Sequence, residues 1–377
     1  MVTASLMLAA QPVPTPPSAS SDPRVDQTLA GLTSDGDLVG QLLLLGWAGN
    51  TAEQARETIV ELHPAGMVFV DNTTSSSTAT TINRGLVGIQ AESGVIPLFI
   101  AVDHEGGVVQ RFTDIPNLGS NTAFAKTNPT DVDACERGHT HAEQLAALGF
   151  NMNLAPVLDV NNNPDNPVIG TRSYGPDADL VARLGTAYVR GLQGHGIIAV
   201  GKHFPGHGNT GVDSHLGLPI LPLSLDELEQ VELVPFRAVV QPETDIAAIM
   251  SAHIVFPAVD PSGVPATLSQ PVMTGLLRDR LGFTGLTLSD DLAGMKAITD
   301  NYTAGDAAVR AVRAGVDMLI IAGGLARQRT SRDALLAALQ SGDLPRERVV
   351  EAVRHVLTTK ARFGLLGDPQ PPIRECS

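Results

Sequence analysis

Short apolar runs and longer amphipathic stretches alternate along most of the chain. Between the runs lie segments such as "TAEQARETIVELH" and "DADLVARLGTAYVRGLQGHG", whose apolar positions have helical spacing. Eight strands that are each followed by a helix predict a (β/α)₈ barrel. A doubly wound sheet is the alternative, although it more often has fewer strands. From residue 36 onward the runs are "QLLLLGWA", "GMVFVD", "PLFIAVD", "NMNLAPVLDV", "IIAVGKHF", "AAIMSAHI", "GLTLSDD" and "VDMLIIAG".

The helical stretch "SLDELEQVELVPFRAVV" begins with a recognisable start signal. Ser224 and Glu227 have the spacing of a capping box, in which side chain and backbone satisfy each other's unpaired groups at a helix N-terminus. Two further helical stretches, "SRDALLAALQSG" and "PRERVVEAVRHVLTTKARFG", follow the last apolar run. The alternation of strands and helices therefore continues to residue 364.

Six of the eight apolar runs end in side chains that are capable of chemistry. In a (β/α)₈ barrel the C-terminal ends of all strands meet at one face, which is where active sites lie. Any single aspartate there is also explained as a helix cap, but six such ends, one with adjacent Lys and His, favour an enzyme. These residues are Asp71, Asp103, Asp159, Lys202 with His203, His253, and Asp290 with Asp291.

Composition narrows the class of protein. Apolar residues make up 43% of the 377 residues and aromatic residues only 4%, so the core is aliphatic, as in parallel α/β proteins. The formal net charge of −15 argues against nucleic acid as a partner, because binding to phosphates needs clustered Lys and Arg. No window approaches the apolar length of a membrane-spanning helix.

The N-terminal segment differs from the rest. "MVTASLMLAAQ" resembles the apolar part of a signal peptide without its basic start, and "PVPTPPSASSDP" reads as a Pro/Ser-rich linker. We therefore predict a tail over residues 1–22 and a barrel domain over 23–377. Export to the cell envelope is favoured, with a cytoplasmic location as the alternative. Cys135 and Cys376 either form one bridge or remain two free thiols.

The stretch "GKHFPGHGNTGVDSHLGLP", residues 201–219, allows three interpretations. The first is a dinucleotide-binding loop, since "GHGNTG" matches G-x-G-x-x-G. A true fingerprint opens a helix whose N-terminus holds the pyrophosphate. Here "VDSHLGLPILPLS" follows, with two prolines and no helical pattern. The dinucleotide interpretation is therefore rejected.

The second interpretation is a metal site. His203 and His207 have the i, i+4 spacing of zinc ligands on a helix, and Asp213 and His215 follow. The intervening Pro-Gly pair prevents an ordinary helix, and no glutamate stands where a metalloprotease base would. Metal binding is therefore disfavoured.

The third interpretation is acid/base chemistry. Asp213 lies two residues before His215, so that its carboxylate can orient an imidazole that transfers protons near neutral pH. An exposed Asx turn with a solvated histidine stays open as the alternative. A carboxylate nucleophile is available in Ser289-Asp290-Asp291, and nucleophile plus proton donor is the equipment of retaining glycoside hydrolysis. The usual donor is a second carboxylic acid, so a His-Asp pair departs from that rule.

Four motifs carry a resemblance to a known family. "KHFPGHG" followed by "DSH", "LLRDRLGFTGLTLSDDLA", "AVDHEGGVVQRF" and "NPVIGTRSYG" resemble motifs of glycoside hydrolase family 3, in particular its single-domain NagZ-type β-N-acetylhexosaminidases. The similarity covers roughly residues 36 to 365. It implies a barrel with no metal or cofactor. Family 3 glucosidases generally take their acid/base from a separate domain, so the "DSH" loop would supply it here.

The resemblance also implies roles for single residues. Asp290 would be the nucleophile, His215 the general acid/base and Asp213 the residue that orients it. Asp291 is more simply explained as a cap or a supporting residue, and His253 either lines the pocket or belongs to the core. Five further side chains would hold the sugar, namely Asp103, Arg111, Arg172, Lys202 and His203.

The function implied is that of a retaining exo-β-N-acetylglucosaminidase. It would hydrolyse terminal non-reducing β-linked N-acetylglucosamine from peptidoglycan fragments or related amino-sugar glycosides, acting as a monomer. Two alternatives are kept. One is a phosphorylase, in which phosphate replaces water, and the other is a non-catalytic barrel that binds muropeptides.

Overall fold

The computed structural model describes residues 22–47, 49–70, 74–112, 114–367 and 376. The predicted tail, apart from Asp22, and the strand-end residue Asp71 lie outside the described residues. Each of the eight apolar runs contains a strand, as predicted. The strands are β1 (Leu43–Leu45), β2 (Gly66–Phe69), β3 (Phe99–Val102), β4 (Met152–Asn153), β5 (Ile198–Phe204), β6 (Ala248–Ser251), β7 (Leu286–Leu288) and β8 (Leu319–Ile321).

All neighbouring strands are parallel, and they follow one another in the order β7-β6-β5-β4-β3-β2-β1-β8. The two ends of this order meet. Leu288 at the end of β7 bridges in parallel to Met318, and the Ser289 N–H donates to the Met318 carbonyl at 3.0 Å. The sheet is therefore a (β/α)₈ barrel, and the doubly wound alternative is wrong.

Helices surround this barrel and connect its strands. The capping box is confirmed, because Ser224 and Glu227 each bond to the other's backbone N–H. The helix that it opens continues through a π-helical turn, Leu228–Glu232, into α9. The α-helices are α1 (Pro23–Gly31), α2 (Asp35–Gly40), α3 (Arg56–Leu62), α4 (Ser76–Ser93), α5 (Asn121–Ala125), α6 (Asp131–Ala147), α7 (Ala178–Gly194), α8 (Leu225–Glu227), α9 (Leu233–Val239), α10 (Lys296–Thr299), α11 (Ala304–Ala314), α12 (Leu325–Ser341) and α13 (Arg346–Arg362). A second π-helix spans Pro271–Arg280, and 3₁₀ turns span Glu53–Ala55, Gly170–Arg172 and Ala266–Leu268.

The strands are apolar on both faces because both faces are covered. In β1, Leu44 belongs to a cluster inside the barrel, whereas Leu43 and Leu45 join the larger cluster between strands and helices. All three are fully buried. This two-sided burial explains why the runs read as continuously hydrophobic rather than alternating.

The two cysteines form a disulfide bond. Cys135 in α6 is joined to Cys376, with 5.6 Å between the Cα atoms and a sequence separation of 241. The sequence allowed either a disulfide or two free thiols, and the structure contains the disulfide. Disulfides persist in oxidising compartments and are rare in the cytosol. The bridge is therefore consistent with the expected export.

Among the helices of the described residues, none combines the length and the apolar character needed to cross a bilayer.

One lysine is fully buried at the end of the barrel opposite the strand C-termini. Lys360 of α13 reaches Gln41 Oε1 with its Nζ atom at 3.1 Å and lies 5.1 Å from the centre of the Phe99 ring. Burial lowers its pKa to about 7. The folded protein therefore binds the Lys360 proton less tightly than the unfolded chain does.

We predict that Lys360→Met stabilises the protein at pH 7, by about 2 kcal/mol, since one pKa unit corresponds to about 1.4 kcal/mol and the Gln41 hydrogen bond is lost. Between pH 7 and pH 10 the unfolded lysine holds its proton and the folded one has lost it, so wild-type stability rises with pH and the advantage of the variant shrinks. Denaturant unfolding at pH 7 and pH 9.5 measures this, with the exposed Lys126→Met as control. A gap that is independent of pH would contradict the assignment.

Candidate active site

A cavity of about 270 Å³ opens at the C-terminal ends of the strands. This volume lies just below the roughly 300–1,000 Å³ of sites for drug-sized ligands, so it suits one small ring rather than a long chain. Asp213 does not line it but bonds to His215, which does. The lining includes seven of the eight residues predicted from the sequence: Asp103, Arg111, Arg172, Lys202, His203, His215 and Asp290.

A buried lysine joins two carboxylates at the floor of this cavity. Lys202, at the end of β5, places its Nζ atom 2.6 Å from Asp103 Oδ1 and 2.7 Å from Glu105 Oε1. Burial alone would lower the pKa of Lys202, but Asp103 and Glu105 outweigh it and raise that pKa above its usual value. Lys202 is therefore a fixed positive charge.

Two arginines complete this charged floor. Arg172 donates from Nε and Nη2 to the two oxygens of Glu105, at 2.8 and 2.7 Å, and Arg111 donates from Nη2 to Asp103 Oδ2 at 3.0 Å. Burial would raise the pKa of Glu105, yet Arg172 and Lys202 hold it far below its usual range. Glu105 was not predicted individually, although it stands in the quoted motif "AVDHEGGVVQRF".

His203 is held in one orientation by a buried carboxylate. Its Nδ1 atom donates to Asp159 Oδ2 at 2.7 Å, and its backbone N–H donates to the other oxygen at 3.1 Å. Arg172 Nη2 lies 3.5 Å from His203 Nε2. Asp159 is inaccessible to solvent, so this strand-end aspartate supports the cavity wall rather than lining it.

Asp290 follows β7 and presents a half-buried carboxylate to the cavity. Its Oδ1 atom accepts the N–H of Asp291 at 2.8 Å. Burial would raise the pKa of Asp290, but His203, His253, the Asp291 N–H and Lys202 outweigh it and hold that pKa below its usual value. An ionised carboxylate of this kind can act as a nucleophile but not as a proton donor.

The neighbours of Asp290 are fixed from both sides. The side chain of Asp291 accepts the backbone N–H groups of Ala293 and Ala322 at 2.9 Å and of Gly294 at 2.7 Å, so Asp291 supports the loop rather than capping a helix. His253 is fully buried and its Nε2 atom donates to the Asp291 carbonyl at 3.2 Å. It therefore supports the loop and belongs to the core rather than the lining.

His215 is the exposed member of the site. Its side chain is 58% exposed, and its Nδ1 atom donates to Asp213 Oδ1 at 2.7 Å. Partial burial would raise the pKa of Asp213, but the hydrogen bonds from His215 lower it below its usual value. The bond fixes the ring and leaves Nε2 as the atom that can accept or deliver a proton. The His215 N–H also donates to Asp213 Oδ1, at 2.9 Å, so an exposed Asx turn is present. The same turn orients the ring at the cavity, as acid/base chemistry requires.

The other two interpretations of residues 201–219 find no support. Within the described ranges, no group of three or more His, Cys, Asp or Glu side chains could hold a metal ion. The next helix along the chain is α8, which starts only at Leu225, so "GHGNTG" opens no helix.

Two glycines of this stretch, Gly206 and Gly208, allow close packing. A Cβ atom on Gly208 would lie 1.8 Å from the Val160 carbonyl oxygen, and one on Gly206, where φ is +145°, would lie 2.5 Å from Glu232 Oε2. Burial, with the Asp159 charge second, raises the pKa of Glu232 to about 8, so this carboxyl is neutral at pH 7. Sequence reasoning missed Glu232 because nothing around it in "SLDELEQVELVPF" indicates burial behind the site.

A sequence model described as the glycosyl hydrolase family 3 N terminal domain matches residues 36–359. The chain belongs to glycosyl hydrolase family 3. It is 34% identical over 357 residues to the β-hexosaminidase LpqI of Mycobacterium tuberculosis, covering 92% of this chain and 89% of that protein. It is also 36% identical over 270 residues to β-hexosaminidase A of Pseudoalteromonas piscicida, covering 68% of this chain but only 45% of the relative.

A solved structure of a family 3 enzyme is also similar to this chain. The family 3 β-N-acetylglucosaminidase from Paenibacillus sp. str. FPU-7 superimposes with a TM-score of 0.85 at 42% identity, covering 89% of this chain and 64% of that one. The chain therefore spans less than two thirds of two of these three relatives. The family model, over residues 36–359, includes every residue that lines the cavity described above.

In this family 3 barrel, the charged floor is expected to depend on Glu105. Glu105→Gln leaves Arg172 and Lys202 buried without their shared carboxylate, and breaking a buried ion pair costs about 3–5 kcal/mol. Denaturant unfolding measures the change. The control is Glu92→Gln, which breaks the exposed pair with Arg56 and should cost far less, because solvent screens exposed ion pairs. Equal losses in the two variants would show that the floor contributes nothing beyond a surface ion pair.

Proposed function

We propose that the chain is a retaining exo-β-N-acetylglucosaminidase that hydrolyses terminal, non-reducing, β-linked N-acetylglucosamine. The observation that carries the proposal is that a carboxylate and an oriented imidazole line the same cavity. Asp290 is held ionised, and His215 keeps a free ring nitrogen through its bond to Asp213. The names of the relatives support the sugar, and the cavity's size supports cleavage of one terminal unit.

In the first step, His215 gives its Nε2 proton to the glycosidic oxygen while Asp290 attacks the anomeric carbon. The carbon–oxygen bond to the leaving group breaks, and an ester forms between the sugar and Asp290. In the second step, neutral His215 removes a proton from water, the water oxygen attacks the same carbon, and the ester bond breaks. Two displacements restore the original configuration, so that the product keeps the β form.

The charged residues at the floor of the cavity bind the sugar rather than take part in the bond cleavage. Asp103, Lys202 and Arg111 carry groups that can donate to or accept from sugar hydroxyls, and Arg172 and His203 lie beside them. Because Lys202 and Arg172 are already bound to carboxylates, they are oriented before the sugar arrives. Such preorganisation lowers the cost of ordering side chains on binding. We assign these five residues to the recognition of the N-acetylglucosamine ring, with peptidoglycan fragments as one source of such ends.

The substrate is tested by release of 4-methylumbelliferone from the β-N-acetylglucosaminide and the β-glucoside in phosphate-free buffer. We expect strong preference for the acetamido sugar and release of free N-acetylglucosamine. Turnover that appears only when phosphate is added, with a sugar phosphate as product, would instead identify a phosphorylase. Binding without turnover under both conditions would support the non-catalytic alternative.

The roles of Asp290 and His215 are separated by the leaving group. Loss of a positioned acid costs roughly 10²- to 10⁴-fold in rate. His215→Ala is expected to lose that much kcat/KM, which reports the first step, on the 4-methylumbelliferyl substrate. The loss of kcat/KM should be much smaller on a 2,4-dinitrophenyl substrate, whose leaving group needs no proton. Asp290→Ala should lose activity on both, because the covalent route itself is gone. Full activity of His215→Ala on the poorer leaving group would overturn the assignment.

A further inference from the structure

The turn that carries Asp213 and His215 is exposed or half-buried, except at the residue between them. Val212 is 46% exposed and Leu216 is 70% exposed, whereas Ser214 is only 1% exposed. The turn therefore has one buried residue, and it separates His215 from the carboxylate that orients the imidazole.

Ser214 is fixed there by its side chain and by its backbone. Its Oγ atom lies 3.0 Å from His207 Nε2, and its carbonyl accepts the N–H of Ala297 in α10 at 3.1 Å. The carbonyl of His215 accepts the N–H of Lys296 at a longer 3.4 Å. The side-chain bond is the connection between the turn and the wall of the cavity.

The direction of this bond follows from the partners of His207. Thr210 Oγ1 donates its proton to the His207 carbonyl at 3.1 Å, so it acts as acceptor for His207 Nδ1 at 2.9 Å. His207 is 3% exposed, and burial, with His203 second, lowers its pKa to about 4. A neutral ring that donates from Nδ1 must accept at Nε2, so Ser214 is the donor.

His207 is itself firmly anchored. Its N–H donates to Asp159 Oδ1 at 2.8 Å, and its carbonyl accepts Asn166 Nδ2 at 2.9 Å. The same Asp159 carboxylate holds His203 in the cavity wall. A single buried carboxylate therefore fixes both a residue of the wall and the anchor of the turn.

We propose that His207 is a positioning residue that acts through Ser214, holding the Asp213–His215 pair at the cavity so that His215 can transfer protons. The proposal rests on the proposed function for the role of His215. Without the bond, the turn keeps only its backbone contacts with α10, and His215 spends part of its time away from the reacting oxygen. The rate of acid-dependent cleavage then falls with the fraction of molecules that have the competent arrangement.

The test compares variants that remove the bond with matched variants that keep it. Ser214→Ala removes the donor, and Ser214→Thr keeps it. His207→Asn places an amide near the former Nδ1, where it reaches only Thr210, whereas His207→Gln extends to the former Nε2 and can accept from Ser214. Ser331→Ala, which removes an equally buried serine hydroxyl from α12, controls for loss of a buried group.

With the 4-methylumbelliferyl N-acetylglucosaminide, Ser214→Ala and His207→Asn are expected to lose about tenfold or more in kcat/KM, which reports the acid-dependent first step, approaching the loss of a positioned acid. The loss should nearly vanish with the 2,4-dinitrophenyl substrate. Ser214→Thr, His207→Gln and Ser331→Ala should stay close to wild type. Equal losses on both substrates, or His207→Asn outperforming His207→Gln, would overturn the proposal.

A second measurement does not depend on activity. The Ala297 N–H donates to the Ser214 carbonyl, so its hydrogen exchange is expected to accelerate in Ser214→Ala and to remain slow in Ser331→Ala. Unchanged exchange would overturn the proposal even if activity fell. If the wild-type protein cleaves neither substrate, the proposed function fails, and exchange still decides whether His207 holds the turn.

Discussion

The buried ammonium group of Lys202 is the contact on which the site depends most. It lies between Asp103 and Glu105, and each of these carboxylates holds an arginine of the cavity. Burying charges is costly unless geometry and pairing are nearly ideal. Here the bonds link the ends of β3 and β5, so that the ends of two strands and their loops are fixed as one unit. The cavity exists in its working shape before any sugar enters.

The same barrel mouth holds two reactive groups in opposite environments. Asp290 lies among positive and hydrogen-bond-donating neighbours and stays ionised, whereas His215 stands on an exposed turn and is oriented by one carboxylate. Environments that differ in this way allow one group to attack and the other to transfer protons. In the proposed mechanism, a histidine on a turn of the barrel, rather than a carboxylic acid in a second domain, transfers the proton.

The sequence predicted the barrel and most of the cavity because both follow from local patterns. Strand-end polar residues such as Asp103, Lys202 and Asp290 are readable once the strands are recognised, since parallel strands bring their ends together. Glu105 was within reach, as a second acidic residue after β3. Ser214 and Glu232 were not, because their roles depend on which distant segments fold against them. The pairing of Cys135 with Cys376 was equally undecidable, because the two have a sequence separation of 241.

The paired charges of the cavity floor are also less sensitive to dissolved salt than the charges on the outer surface. The protein carries a formal net charge of −15, and exposed charges of this kind are screened by dissolved ions over about 8 Å at physiological ionic strength. Glu105 and Lys202 lie inside the barrel mouth, where counterions do not reach. The electrostatic field inside the cavity is therefore set by the protein's own buried side chains. We expect changes in salt concentration to affect solubility and the rate of association more than the geometry of binding.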